Sequence, residues 1–128
     1  MVYLIYEQDP FVRADICEAL SAEFPDKTIV ETESLESLEK GLSDFSHRLA
    51  DVNVVFVTST DNAVEDSRFI AEMPPIGRLV LVADERIVDT QANPNPVYIS
   101  KPFSTHGLMA AIRDGRSDRP ASPSQTPR

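Results

Sequence analysis

Five short runs of β-branched, aliphatic and aromatic residues constrain this chain more than anything else in it. They fall at residues 2–6 (Val-Tyr-Leu-Ile-Tyr), 27–32 (around Thr-Ile-Val), 54–57 (Val-Val-Phe-Val), 79–83 (Leu-Val-Leu-Val-Ala) and 97–99 (Val-Tyr-Ile). Each has the length of a strand, and most are apolar throughout, as strands covered on both faces are. Helical spacing fills the gaps. Asp9 is a good N-cap and Pro10 a good first helical residue, ahead of Val12, Ile16, Ala19 and Leu20. Ser34 can cap a stripe of Leu35, Leu38 and Leu42. Asp61-Asn62 offers a cap for a helix with Val64, Phe69, Ile70 and Met73, whose spacing is imperfect. Ser104 can cap a last helix through Leu108, Met109 and Ile112, stopped near Gly115. Strands alternating with helices predict a three-layer α/β/α, doubly wound parallel sheet with right-handed crossovers.

Two stretches are less determined. Residues 45–51 either extend the second helix through Phe45 and Leu49 or break. Residues 84–95 hold only Ile87 and Val88 as firm apolar residues before Asn-Pro-Asn-Pro, which fits a short helix or an irregular loop. The segment 116–128 has three prolines and almost nothing apolar. It is expected to be a disordered tail behind a single domain at 1–115, since it cannot bury enough surface to offset its ordering entropy.

Charge and cysteine content narrow the function. The net charge is −9, and the tail contributes three Arg against one Asp, which leaves about −11 on residues 1–115. That balance argues against binding a phosphate backbone, so no nucleic-acid partner is expected. Hydrophobic residues make up 41% of the chain, yet no run approaches the roughly 18 residues of a membrane span. No signal peptide is visible. Cys17 is the single cysteine, so no internal disulfide forms and a reducing, cytoplasmic setting is expected. It neighbours the first helix's apolar stripe and reads as a small packed thiol. His47 and His106 read as surface or packing residues. Glu36, Glu39 and Lys40 read as a solvated helix face.

The last apolar run leads into Ser100-Lys101-Pro102-Phe103. Proline cannot continue a ladder, so Lys101 stands at the carboxyl end of a strand, where ligands of open α/β sheets sit. A lysine there reads as an anion contact. Gly occurs only at 41, 77, 107 and 115, so no Gly-rich phosphate loop follows the first strand. No Ser/His/Asp or metal-ligand constellation is evident.

Taken together, these motifs resemble the receiver domain of two-component response regulators over residues 1–114. The resemblance rests on Glu7-Gln8-Asp9-Pro10 after the first strand, residues 54–58 ending in Thr58, a fourth strand ending in Ala83, and Lys101-Pro102-Phe103. It implies a flavodoxin-like (CheY-like) five-stranded parallel sheet of order 2-1-3-4-5, with a cis Lys101–Pro102 bond. In that family an acidic pair binds a divalent cation, an aspartate accepts a phosphoryl group from a histidine kinase, and a hydroxyl and a lysine contact its oxygens. An aromatic residue in the last strand follows the switch.

By position, Glu7 and Gln8 match the acidic pair, Thr58 the phosphoacceptor, Val82 the hydroxyl, Tyr98 the switch aromatic and Lys101 the lysine. Aspartyl phosphorylation needs a carboxylate nucleophile, and threonine without a base is a poor one. Magnesium wants one or two carboxylates, so Glu7 beside neutral Gln8 and Thr58 makes at most a weak site. Val82 donates no hydrogen bond, and Lys101 is left with Glu7 as its obvious counter-charge. The resemblance therefore implies a pseudo-receiver: a stand-alone, non-enzymatic interaction module of bacterial two-component signalling, without a cofactor. Its partners would be a histidine kinase, another receiver or a regulator, or a second copy docked through the fifth strand and last helix. Alternatives are a phosphorelay receiver using Asp61, a flavodoxin-like small-ligand-binding domain, and an eroded paralogue with no regulated state.

Overall fold

β1 (Val2–Tyr6) is buried at every position and lies inside the sheet, which is why its sequence does not alternate. The computed structural model describes residues 1–84, 90 and 92–116 of the 128-residue chain. Four more strands join β1: β2 (Thr28–Thr32), β3 (Val52–Val57), β4 (Arg78–Ala83) and β5 (Val97–Ser100). All pairings are parallel, in the order β2-β1-β3-β4-β5. This is the flavodoxin-like, CheY-like α/β architecture. β3 starts two residues ahead of its all-apolar stretch because buried Asn53 satisfies its own amide by donating to the Val2 carbonyl (3.4 Å).

Among the described residues, four α-helices cover the sheet: α1 (Pro10–Glu23), α2 (Leu35–Asp44), α3 (Ala63–Glu72) and α4 (Thr105–Asp114). Ile16 and Leu20 of α1 and Leu108 and Ile112 of α4 pack on one face of the sheet, against Ile5, Val55, Val80 and Val82. Leu38 and Leu42 of α2, Ile70 of α3 and Met73 at its C-cap pack on the other, against Leu4, Tyr6, Phe56 and Leu81. The period-2 alternation of strand side chains thus divides one set of apolar runs between two cores.

Local chemistry sets the helix ends. The Asp9 carboxylate accepts from the Phe11 and Val12 amides, with Pro10 at the first position of α1. Ser34 and Ser37 form a reciprocal capping box on α2, and Ser104 accepts from the Gly107 amide at the start of α4. Gly115 closes α4 at φ 67°, a left-handed cap that glycine adopts without steric cost. Ser46–Asp51 breaks away from α2 as a 3-10 segment, so the second helix does not run through Leu49. The Lys101–Pro102 bond is cis.

α3 departs from its expected face. Val64 is 67% exposed, while Asp66 is 0% exposed on the same stripe as Ile70 and Met73. Nor does Asn62 cap that helix through its side chain. The Ser59 hydroxyl instead accepts from the Asp61 amide in a short 3-10 turn, Thr60–Asn62, that leads into α3. The stretch expected to be a short helix or loop includes residues 85–89 and 91, which lie outside the described residues, as do residues 117–128 of the tail expected at 116–128.

Candidate functional site

Parallel pairing brings the carboxyl ends of β1, β3, β4 and β5 to one edge, and the candidate residues meet there. Thr58 follows β3. Its amide donates to the Val82 carbonyl (2.9 Å), and its hydroxyl lies 3.2 Å from that same oxygen and donates to it. The hydroxyl is thus turned along the sheet edge. Val82 is fully buried and its side chain belongs to the core beneath α1 and α4, so only its carbonyl takes part at the edge.

Lys101 continues the β5 ladder, donating its amide to Ala83 (3.2 Å). Its ammonium reaches over β4 and donates to the main-chain carbonyl of Thr58. A partly buried ammonium needs such an acceptor, and the end of β3 offers one that no helix uses. Tyr98, one pleat earlier, is partly buried against the core on the α2–α3 face.

Glu7 is tied into its own turn. Its carboxylate accepts from the Asp9 amide (3.2 Å) and its carbonyl from the Arg13 guanidinium (2.7 Å). Gln8 and Asp61 are exposed. Among the described residues, no group of three or more His, Cys, Asp or Glu side chains is placed to hold a metal ion. The residues present give a cation one half-buried carboxylate, already engaged by an amide, which is a poor fit to a magnesium site. His47 and His106 are exposed. The Cys17 thiol packs against the α1–α4 core, and burial and Glu31 push it up to about 11 against the pull of Arg13. A thiol held protonated in this way is a packing group rather than a nucleophile.

The acidic side chain that sequence reasoning missed is Asp66. It is fully buried below the edge, with Oδ2 accepting from the Ser59 amide (2.9 Å) and Oδ1 without a hydrogen-bond partner. Burial pushes its carboxyl above the usual range. The Ser59 amide pulls it back, Glu65 raises it further, and Lys101 and the Tyr6 hydroxyl lower it. Tyr6 is pushed up to about 12, first by burial, then by the charges of Asp66 and Glu7. The charge of the Lys101 ammonium is thus felt by a carboxylate on α3. The signal for Asp66 was in the sequence: counting back three residues from Met73 reaches Ile70, and four more reach position 66, not Val64.

A scan against protein-family models finds none that matches the chain, and a search of curated proteins returns no match. Among solved structures the chain is similar to a response regulator receiver modulated diguanylate cyclase from Pelobacter carbinolicus. The two share 22% identity over 88% of this chain and 89% of that chain, with a TM-score of 0.49.

Proposed function

We propose that this chain is a pseudo-receiver, a receiver-like domain that signals by binding another protein and not by phosphoryl transfer to aspartate. The observation that carries the reading is the state of the edge. The residue at the end of β3 is Thr58, whose hydroxyl is spent on Val82, and Lys101 is spent on the carbonyl of Thr58 itself. A lysine available to a phosphoryl oxygen would have to leave that acceptor first. The partner is a signalling protein, either a histidine kinase, another receiver or a regulator, or else a second copy meeting β5 and α4. Domains of this fold host many functions, so the reading rests on the site alone.

Incubating the full chain with magnesium and a small acyl phosphate donor tests it by intact mass. The expected result is no added phosphoryl group. A base-labile phosphoryl adduct would overturn the reading, and exposed Asp61 is then the first residue to replace.

A further inference from the structure

We propose that the Asp66 carboxyl is a proton-operated latch on the connection between β3 and α3. Ionised, it grips that connection through the Ser59 amide; protonated, it loosens the grip. This goes beyond the pseudo-receiver reading and does not depend on it.

The position itself is the first argument. Carboxylates are almost never fully buried unless paired, and Asp66 has no exposed surface and no ion pair within salt-bridge distance among the described residues. The stripe it shares with Ile70 and Met73 needs an apolar residue for packing. An unpaired carboxyl there costs stability, and nothing in the core of α3 offsets it.

The second argument is the pair of oxygens. Oδ2 holds the Ser59 amide at 2.9 Å, whereas Oδ1 has no partner. A proton on Oδ1 turns an orphan acceptor into a donor. An acceptor is at hand in the phenol oxygen of Tyr6, which faces the carboxyl from β1. Beside the ionised carboxylate the Tyr6 hydroxyl is turned toward Asp66, and the Gln8 side chain donates to the phenol oxygen. On protonation of Asp66 the Tyr6 hydroxyl must turn away to leave its oxygen as the acceptor. Gln8 is exposed, which links the buried pair to solvent. The step moves one proton from water to Oδ1 and breaks no other covalent bond.

Each neighbouring element contributes to the balance. Burial and Glu65, on α3 itself, favour the proton. The Ser59 amide from the connection, Lys101 from the end of β5 and Tyr6 from β1 favour the ion, and Glu7 acts on the Tyr6 phenol. Protonation replaces a charge-assisted bond to Ser59 by a neutral one of roughly half the strength. Ser59 also caps the Thr60–Asn62 turn through its hydroxyl, so the change reaches the residues that border Thr58.

The test is an NMR titration of the full chain between about pH 3 and 8, spanning the carboxylate range. It follows the Asp66 side-chain carboxyl carbon and the Ser59 amide. The expected result is an Asp66 midpoint above that of an ordinary aspartate, with the Ser59 amide shift moving at the same midpoint. Ser59 amide exchange, corrected for its intrinsic pH dependence, should become several-fold faster on the acid side. In Asp66→Asn the Ser59 amide should lose that transition. An ordinary Asp66 midpoint, or a Ser59 amide that does not follow it, overturns the latch. Should Asp66→Asn not fold, the wild-type titration decides by itself.

Discussion

The Lys101 ammonium at the end of β5 donates to the main-chain carbonyl of Thr58 at the end of β3, bridging the sheet edge over β4. Two non-adjacent strands are thereby tied by a charged donor at the carboxyl edge of the sheet. Replacing Lys101 by Met keeps most of the aliphatic stem and deletes the donor. The Thr58 carbonyl then loses its partner, at a cost of about 1–3 kcal/mol. Urea unfolding should show a lower midpoint with an unchanged slope. An unchanged midpoint would mean that the bridge does not hold in solution.

Asp66 makes stability depend on pH in a stated direction. Its carboxyl is raised in the folded chain, first of all by burial. A group raised on folding contributes stability that is fully present below its unfolded value and is lost as pH rises through its folded value. The window is therefore bounded below by the ordinary aspartate range and above by the raised value. Asp66→Asn has no such group, and its amide offers Oδ1's neighbours a donor. The variant should be more stable than wild type at neutral pH by about 1 kcal/mol, the scale of one buried polar group gaining a partner. That advantage should shrink as pH falls through the window. Thermal melts of both proteins across that range check the sign, and an advantage that grows on acidification would refute it.

How much of this was legible beforehand differs between sheet and site. Apolar runs in β1, β3 and β4 announce buried strands because both faces of each carry the same demand, so register errors there cost nothing. The same uniformity hid Asn53, whose amide is satisfied only by the Val2 carbonyl of the neighbouring strand. Asp9, Ser34 and Ser104 were readable as caps because capping is a contact over two or three residues. Lys101's true neighbours were not, since Thr58 is 43 positions away in sequence and Asp66 lies on a helix whose rotation was misjudged by the apolar look of Val64. A helix face is fixed by packing against the sheet, and one buried aspartate is enough to disguise it.

At the opposite end of the sheet, Asn93 fastens one connection to another. Its buried side chain accepts from the Ile76 amide (3.0 Å) and donates to the Pro74 carbonyl (3.0 Å). Both partners precede β4, and Asn93 precedes β5. Asn93→Ala leaves a donor and an acceptor without partners and should cost about 1–3 kcal/mol. Aspartate in the same place supplies no donor for Pro74 and should not rescue it. Equilibrium unfolding of the two variants reads the difference directly; full rescue by aspartate would show that only the Ile76 contact matters.

Restoring the missing groups should restore the missing reaction, if the edge is a receiver site that has lost its chemistry. Gln8→Asp adds a second carboxylate beside Glu7, Thr58→Asp adds a nucleophile, and Val82→Thr adds a hydroxyl for a phosphoryl oxygen. Lys101 is already in place. The geometry also ranks the three changes. Thr58→Asp alone puts a carboxylate where the threonine hydroxyl now donates to the Val82 carbonyl, so it loses a hydrogen bond and gains a repulsion without a metal to screen it. Val82→Thr introduces a hydroxyl at a fully buried position facing the α1–α4 core, and such a swap is costly unless the hydroxyl turns to the edge. The triple variant, checked for its fold by circular dichroism, should bind magnesium in calorimetry and gain a base-labile phosphoryl group from a small donor. Thr58→Asp alone should gain none. A folded triple variant that binds magnesium yet takes no phosphoryl group would show that this edge differs from a receiver site in more than three side chains. The tie between Lys101 and the carbonyl at position 58 would then be the next feature to break.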